Sequence, residues 1–450
     1  PHPNTFQEHA PPESNNPKAF VVDVRWVKET VNMQLSMSQI IECYLHATQN
    51  EIDIDKSLSK SITKKMPPLP RTSKWAGERW SSSSLQIIYA VIMFAFIFGG
   101  FLLYVILFFA KYILAKFKNS ISEIKVANNK EGKFYYFSFS DLEMRQTCYF
   151  FKDNDSYKLS RDELIIIKLP WVNYTPTSCD FNAINLYELT SFLDVARAFL
   201  LSIFSYIYYL KPSRIKWLLH IYTAPSWFLV AMGMNNIKGN LASSEHYDRW
   251  AVLTDFICRI KRKRYILIQH GSLLALKTKG YEFFSLSYKL KAVSELAIFN
   301  EIELELFLEH IISQANDYNI KIHFYQQPFY VSSINNKGLS ILIIGHSLCE
   351  RGQLSLGSQL STLSDNIVLY YKEHPKARAS EKAKKTKWNF ITDDDYFPDV
   401  DIVISYPSTL AYQYKELNKI VILLELDNID QNKIDEILMT IRKNKGVYGK

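Results

Sequence analysis

The most prominent pattern along the chain is an uncharged stretch over residues 80–110, which is almost continuously apolar over 85–110. Twenty-six helical residues extend about 39 Å, which exceeds the ~30 Å hydrocarbon core of a bilayer. Trp80 precedes the apolar run and Lys111 follows it, and such residues anchor membrane helices at the interface. The pattern therefore predicts a membrane segment over residues 80–118.

The orientation of this segment is not set by its flanks, because six Lys and Arg residues precede it from residue 60 and six follow it up to residue 133. Gly99 and Gly100 lie near its middle, where adjacent glycines permit a sharp turn. Two arrangements are open: a single membrane span, and a short helical hairpin that dips into the membrane and returns.

A second apolar region covers residues 199–210 and 215–234 and is rich in Leu, Ile, Tyr, Phe and Trp. Lys211, Arg214 and Lys216 interrupt it. Helices with this pattern either lie on a membrane surface with their basic residues at the headgroups or pack as ordinary core helices. The sequence favours neither interpretation.

Apolar runs alternate with helical stretches from about residue 133 onward. Strands are predicted at 240–244, 264–270, 295–299, 321–325, 340–344, 366–371, 401–404 and 419–424, and helices at 247–261, 301–312, 355–363, 410–416 and 433–443. Strands that alternate with helices form parallel sheets covered by helices. The fold class is therefore α/β with two Rossmann-like domains, preceded by a membrane helix or hairpin.

Residues 327–338 divide this alternation and read as a linker. We expect an N-terminal extension over 1–79, a first α/β domain over 130–330 and a second over 335–450. A ligand cleft is expected at the interface between the two domains.

The composition limits the chemical classes of partner that are expected. The 450-residue chain carries a formal charge of +8, which suits an anionic phospholipid surface, nucleotide or phosphorylated glycan. Nucleic acid is not expected, because no helix-turn-helix, zinc-finger or aromatic RNA-binding signature is present. The five cysteines are widely spaced and match no zinc pattern, which predicts reduced, mostly buried thiols in a cytoplasmic domain.

The segment Y-Y-K-E-H-P-K-A at residues 370–377 follows an apolar strand. It places Lys372, His374 and Pro375 at the carboxyl end of a strand, where open α/β sheets bind ligands. Histidine and lysine can hydrogen-bond a phosphate and balance its charge. An ordinary surface turn explains the segment equally well when it is taken alone.

A second segment, D-I-V-I-S-Y-P-S-T, ends a strand at Ser405 and opens a helix with Ser408 and Thr409. Hydroxyl groups and unpaired backbone N–H groups at a helix start form an anion site, although the same hydroxyls simply cap many helices. Two such strand ends in one sheet predict a phosphate cradle.

These two segments resemble those of bacterial glycosyltransferases of the two-Rossmann-domain (GT-B) type that use CMP-activated sialic acid or Kdo. In that family a His-Pro turn and a Ser/Thr helix start hold the CMP phosphate, and the matching residues are His374-Pro375 and Ser408-Thr409. The segments S-S-E-H-Y-D-R-W at 243–250 and L-I-Q-H-G-S at 267–272 look like acceptor-side strand ends of capsule and lipopolysaccharide transferases. CDP-glycerol phosphotransferases of wall polymers share the His-Pro arrangement.

The resemblance implies an inverting, metal-independent transferase that moves a sugar from a CMP-linked donor to a membrane-associated glycan or glycolipid, without a further cofactor. It would lie at the bacterial inner membrane with its catalytic domains facing the cytoplasm, where donor sugars are made. The acidic run at 393–395 fits a loop and helix cap, so no metal site is predicted. Two alternatives are phosphotransfer from CDP-glycerol or CDP-ribitol and an inactive membrane scaffold of polysaccharide assembly.

Sugar transfer needs a base that takes the proton of the acceptor hydroxyl. The candidates are Asp248, Glu245 and His270, all near predicted strand ends of the first domain. The two acids also suit helix capping, and the histidine suits a tight turn. His346 and Glu350, in G-H-S-L-C-E-R-G, are expected to line the same cleft.

Overall fold

The protein contains two parallel β-sheets with helices on their faces, as seen in a computed structural model. The described residues are 34–61, 67–70, 81–120, 132–153, 157–174, 179–273, 285–326, 329–335, 338–346, 349–363, 366–374, 379–393, 396–406, 408–424 and 431–448. Eight of the twelve described strands overlap the predicted ones, while three strands before residue 240 and one at 389–391 were not predicted individually. The architecture confirms the predicted α/β class with two Rossmann-like domains.

The first sheet has seven parallel strands in the order β3-β2-β1-β4-β5-β6-β7. They are β1 (Phe134–Ser138), β2 (Leu164–Lys168), β3 (Asn182–Asn185), β4 (Asn240–Ser243), β5 (Tyr265–Ile268), β6 (Glu295–Ile298) and β7 (Lys321–Phe324). Most of these strands are buried on both faces, which explains their near-continuous apolar runs. The strand order reverses between β1 and β4, and open sheets bind ligands beyond the carboxyl ends of strands at such a point.

Helices surround the first sheet and precede it in the chain. They are α1 (Met37–Ser61), α2 (Ser82–Ala95), α3 (Phe101–Ser120), α4 (Asp141–Asp153), α5 (Leu186–Leu189), α6 (Phe192–Tyr209), α7 (Ala224–Asn236), α8 (Arg249–Lys261) and α9 (Glu301–Leu306). A 3₁₀ segment over Ile215–Thr223 leads into α7, and π-helical turns occupy Phe96–Gly100 and Phe307–Ile311.

The second sheet has five parallel strands in the order β10-β9-β8-β11-β12. Its elements are β8 (Leu339–Ile344), α10 (Glu350–Leu363), β9 (Ile367–Lys372), α11 (Glu381–Lys384), β10 (Asn389–Ile391), β11 (Ile402–Ser405), α12 (Thr409–Glu416), β12 (Ile420–Leu423) and α13 (Gln431–Tyr448). Strand β8 lies between β9 and β11, so the residues that follow these three strands are neighbours in space.

Helix α1 is built into the core of the first domain, although the sequence presents it as part of an extension. The Asn50 side chain exchanges two hydrogen bonds of 2.8 Å with the backbone of Tyr288. Asp55 lies 2.6 Å from His220 Nε2, and both side chains are fully buried. The helix is therefore a structural element of this domain.

Asp255 on α8 binds the segment before β6 through hydrogen bonds. Its Oδ1 accepts hydrogen bonds from the backbone N–H groups of Lys291 (2.8 Å) and Ala292 (2.7 Å), and its Oδ2 accepts one from the Tyr288 hydroxyl (2.8 Å). Burial raises the pKa of Asp255 to about 6, and the hydrogen bonds only partly oppose this. Between the ordinary pKa of an aspartate and about pH 6, the folded protein therefore keeps a proton that the unfolded chain has already lost. The Asp255 carboxyl destabilises the fold as the pH rises through this interval.

The variant Asp255→Asn is expected to lack this pH dependence. The amide keeps the oxygen that accepts both backbone N–H groups and places an NH₂ beside the Tyr288 hydroxyl oxygen. Relative to the wild type, the variant should gain about 3 kcal/mol of stability between about pH 4 and about pH 7. Thermal denaturation of both proteins across this range measures the gain, and a stability difference that does not change with pH would contradict it.

The apolar segment is a helix with a kink. Helices α2 and α3 run end to end through the π-helical turn, where Phe98 (φ −93°, ψ 32°) and Gly99 (φ +96°, ψ −2°) leave the helical conformation. A side chain at Gly100 would lie 2.7 Å from the Ala95 carbonyl oxygen, so both glycines are needed here. Ser83–Lys118 and α6 are each long and apolar enough to cross a membrane, and 17% and 44% of their most apolar windows are buried.

The second apolar region divides into two kinds of helix. Helix α7 is buried on almost all sides and is a core helix. Helix α6 buries only one face, which includes Ala198, Leu201 and Ser205, and exposes Leu200 and Ile207. The core interpretation therefore holds for α7 alone.

The cysteines differ in part from the prediction. Cys43, Cys258 and Cys349 are buried and form no disulfide with one another, as expected. Cys148 on α4 and Cys179 before β3 form a disulfide, which corrects the prediction that all thiols are reduced. A disulfide is typical of oxidising compartments and rare in the cytosol, so this pair counts against a cytoplasmic first domain.

Candidate functional site

The carboxyl ends of the two sheets meet in one cleft. The backbone N–H of Ser272, which follows β5, donates to Thr409 Oγ1 at the start of α12 over 2.9 Å. A cavity of about 360 Å³ lies beside this contact. Both domains line it, through Ser272, Asn300, Glu303, Thr409, Tyr412 and Lys415.

Three rings lie together at the carboxyl ends of strands in the second sheet. His346 follows β8, His374 follows β9 and Tyr406 follows β11. The His346 ring centroid lies 5.4 Å from that of His374 and 4.8 Å from that of Tyr406. Burial and the neighbouring His374 lower the pKa of His346 to about 4, so at neutral pH it is an uncharged imidazole.

The predicted hydroxyl groups lie beside these rings and have defined partners. Ser408 caps α12 by accepting from the Ala411 N–H (3.2 Å), and its oxygen lies 3.2 Å from Ser405 Oγ. Ser405 donates to the Tyr406 carbonyl oxygen (2.6 Å). Thr409 accepts the hydrogen bond from the first domain. Helix capping and inter-domain contact thus account for these hydroxyls, and Thr409 at the start of α12 lines the cavity.

Lys372 does not join the rings. Its ammonium donates to the carbonyl oxygens of Asp393 (2.6 Å) and Tyr396 (3.0 Å) and lies 4.6 Å from the centre of the Phe397 ring. The side chain is buried beneath the segment that follows β10. These contacts give Lys372 a structural role in holding this segment, and its contact with a phosphate stays a prediction.

The other second-domain candidates have different environments. Glu350 begins α10 and its Oε2 accepts from the Ser380 N–H (2.8 Å), which ties α10 to α11. Pro375 lies outside the described residues. Within the described part of the chain, no group of three or more His, Cys, Asp or Glu side chains is arranged to hold a metal ion.

Three carboxyl groups form the first-domain wall. Glu143 lies in the first turn of α4, Glu245 follows β4, and Asp248 caps α8 by accepting from Trp250 N–H (2.8 Å) and Ala251 N–H (3.1 Å). Burial, followed by the charges of Asp248 and Glu143, raises the pKa of Glu245 well above its usual value. The raised pKa favours the protonated carboxyl of Glu245, which suits hydrogen-bond donation better than proton abstraction.

Glu143 was not among the residues predicted from sequence. The segment S-D-L-E at residues 140–143 follows an apolar run and could have indicated it. A serine followed three residues later by a glutamate is typical of a helix start. The Glu143 N–H does donate to Ser140 Oγ (3.2 Å). Because β1 is next to β4, this helix start lies beside the other two acids.

His270 faces the acids. Its Nδ1 lies 2.5 Å from the Ser244 carbonyl oxygen, which can only accept, so Nδ1 carries the proton. Its Nε2 lies 3.9 Å from Glu143 Oε1. The His270 backbone N–H donates to His246 Nε2 (3.1 Å), and burial, with the nearby His270, lowers the pKa of His246 well below its usual value. Neutral His246 thus supports the backbone of His270, which directs Nε2 toward Glu143.

The turn that carries His270 is held on both sides. Buried Gln269 donates to the Gly271 carbonyl oxygen (3.0 Å) and accepts from the Phe299 N–H (2.9 Å). Glu303 accepts from the Ser272 hydroxyl over 2.5 Å. A base in a fixed position requires little reorganisation during reaction.

No family model and no curated protein matches this sequence. Among solved structures, the chain is similar to UDP-GlcNAc 2-epimerase from Neisseria meningitidis bound to UDP-GlcNAc (10% identity, 71% of this chain, 93% of that chain, TM-score 0.41). It is also similar to S. aureus MnaA with UDP (10% identity, 71% of this chain, 90% of that chain, TM-score 0.38). A third similar structure is the wall teichoic acid polymerase TagF (12% identity, 72% of this chain, 78% of that chain, TM-score 0.33). With TM-scores this low, the similarity carries no argument about family or activity.

Proposed function

We propose that the protein is a glycosyltransferase that binds a nucleotide sugar on its second domain and the acceptor on its first. The observations that carry this proposal are two clusters at strand ends: the His346–His374–Tyr406 rings near the start of α12 in the second domain, and His270 with Glu143 in the first. The hydrogen bond between Ser272 and Thr409 joins the segment that follows His270 to the start of α12. Donor and acceptor sites on opposite domains suit transfer between two large substrates.

In the proposed reaction, His270 Nε2 takes the proton of the acceptor hydroxyl as its oxygen attacks the anomeric carbon. The bond from that carbon to the donor phosphate breaks, and the electron pair leaves with the phosphate oxygen. His374 and the N–H groups at the start of α12 stabilise the charge on this oxygen. Glu143 stabilises the imidazolium that forms. A single displacement inverts the anomeric centre.

The proposed donor is CMP-linked Kdo or sialic acid and the acceptor a membrane-associated surface glycan, as the sequence resemblance implies. The proposed location is the bacterial inner membrane, with the nucleotide site on the cytoplasmic side that supplies donor sugars. The disulfide between Cys148 and Cys179 is the observation against this orientation.

Thermal stabilisation by nucleotides tests the proposal. CMP at about 100 times its dissociation constant should stabilise the full-length protein in detergent by about 2.7 kcal/mol, and His374→Ala should abolish the shift. His46→Ala, at a half-exposed ring on α1, is the matched control and should keep the shift.

Each nucleotide result leads to a different conclusion. A shift with CDP alone would favour phosphotransfer from CDP-glycerol or CDP-ribitol, and a shift with UDP or GDP would change the donor class. The absence of any shift would leave the inactive scaffold as the better account. A CMP shift that survives in His374→Ala would remove His374 from the site.

A further inference from the structure

Helices α3 and α6 lie antiparallel along the outside of the first domain. The rings of Phe117 and Phe192 are 4.9 Å apart at one end of the pair, and those of Phe101 and Tyr206 are 5.5 Å apart at the other. Tyr112 lies between these contacts and is buried. The two helices therefore touch over nearly the whole length of α3.

The α/β domain flanks this helix pair along its length. The inner face of α6 packs on α7, which is buried in the domain core. A helix pair that crossed a bilayer along its normal would draw this core and its sheet into the hydrocarbon as well. The geometry instead allows α3 and α6 to lie parallel to the membrane plane, with the domain on the water side.

The faces of α3 and α6 that point away from the domain are mostly apolar, with the exposed basic residues Lys111 and Lys118 and the partly exposed Arg197 among the apolar side chains. Eleven large side chains on these faces each expose 40% or more of their surface, which is costly to leave in water. These are Leu103, Tyr104, Ile106, Leu107, Leu114 and Phe117 on α3, and Phe192, Leu193, Leu200, Phe204 and Ile207 on α6. Leu193, Leu200 and Ile207 are seven residues apart and form one stripe along α6.

The charges around this surface suit anionic lipid headgroups. Residues 82–120 and 192–223 contain seven Lys and Arg residues and one acid, Asp194, which is buried in the N-terminal cap of α6. The Arg214 guanidinium lies 3.8 Å from the Tyr208 ring centre, and the Lys216 ammonium lies 5.5 Å from that of Trp217. Basic and aromatic side chains together are typical of the membrane interface.

We propose that α3 and α6 form a monotopic platform that inserts into one leaflet of an anionic phospholipid bilayer and does not cross it. This arrangement replaces both the single span and the hairpin predicted from the sequence. It is independent of the proposed transferase activity.

Spin labels at two positions of α3 test the platform. Leu103→Cys and Leu114→Cys place labels on exposed positions of one helix, about 16 Å apart along its axis. The native cysteines are buried or paired and leave these sites selectively reactive. In vesicles of phosphatidylcholine and phosphatidylglycerol, accessibility to oxygen and to a nickel chelate should place both labels at one depth, about 5–10 Å into the leaflet. Depths that differ by about 16 Å would overturn the proposal in favour of a span or hairpin.

Controls separate the lipid from other occupants of the surface. A label at Met439→Cys, 63% exposed on α13, should remain in water, and binding to phosphatidylcholine vesicles alone should be weaker. Labels at both α3 sites that stay in water, or that are shielded while the chain is a dimer, would overturn the platform. The second result would assign the surface to another copy of the chain.

Discussion

Replacing His270 with alanine is expected to lower the turnover number for sugar transfer by about 10²–10⁴-fold. The variant loses the nitrogen that accepts the acceptor proton, whereas the rings and helix start that would hold the nucleotide are on the other domain. Nucleotide-induced stabilisation should therefore be unchanged. Initial rates with the sugar donor of the stabilising nucleotide, measured on the full-length protein in vesicles, provide the test.

Two further variants make this result specific. His310→Gln changes a histidine that lies 3.4 Å from Glu309 on the π-helical turn after α9, and it should keep the wild-type rate. Glu143→Gln should lower kcat with little change in KM, because Glu143 acts on His270 and not on the bound substrates. A His270→Ala rate within a few-fold of wild type would show that another group is the base.

Asp55→Ala is expected to lower the free energy of unfolding by about 3–5 kcal/mol. Asp55 and His220 are fully buried and 2.6 Å apart, so removal of the carboxylate leaves the imidazole without its partner in the core. The same change weakens the attachment of α1 to the 3₁₀ segment before α7. Chemical denaturation followed by tryptophan fluorescence measures the loss.

The chain offers a matched control on the same helix. Glu42 and His46 form an exposed pair with a 3.8 Å separation, and Glu42→Ala should cost less than about 1 kcal/mol. Replacing both buried partners, with Asp55→Leu and His220→Phe, should recover part of the loss because no unpaired polar group remains. Equal losses for Asp55→Ala and Glu42→Ala would show that the buried pair adds nothing.

Much of the fold could be predicted because strands of a covered parallel sheet are locally apolar. The run predicted at 340–344 is β8, and the one at 366–371 is β9. The role of α1 could not be predicted, since its partners lie about two hundred residues away. The pairing of Cys148 with Cys179 likewise depends on how α4 and β3 approach each other.

The site was predictable to the extent that strand ends determine it. His346 and His374 meet because they follow adjacent strands. The contact of Lys372 with the segment after β10 could not be predicted, because no local pattern indicates the path of that segment. Glu143 was not predicted because the sequence alone does not distinguish β1 from the other short apolar runs before residue 240.

The position of α1 also has a consequence for the order of folding during synthesis. Asn50 binds the backbone of Tyr288, 238 residues further along the chain. At about 5–20 residues per second, a ribosome needs roughly 12–50 s to make that partner after Asn50 has been added. In this interval the apolar α2 and α3 also emerge. Helix α1 is thus made long before its partner, docks late, and remains a target for chaperones until the first domain is complete.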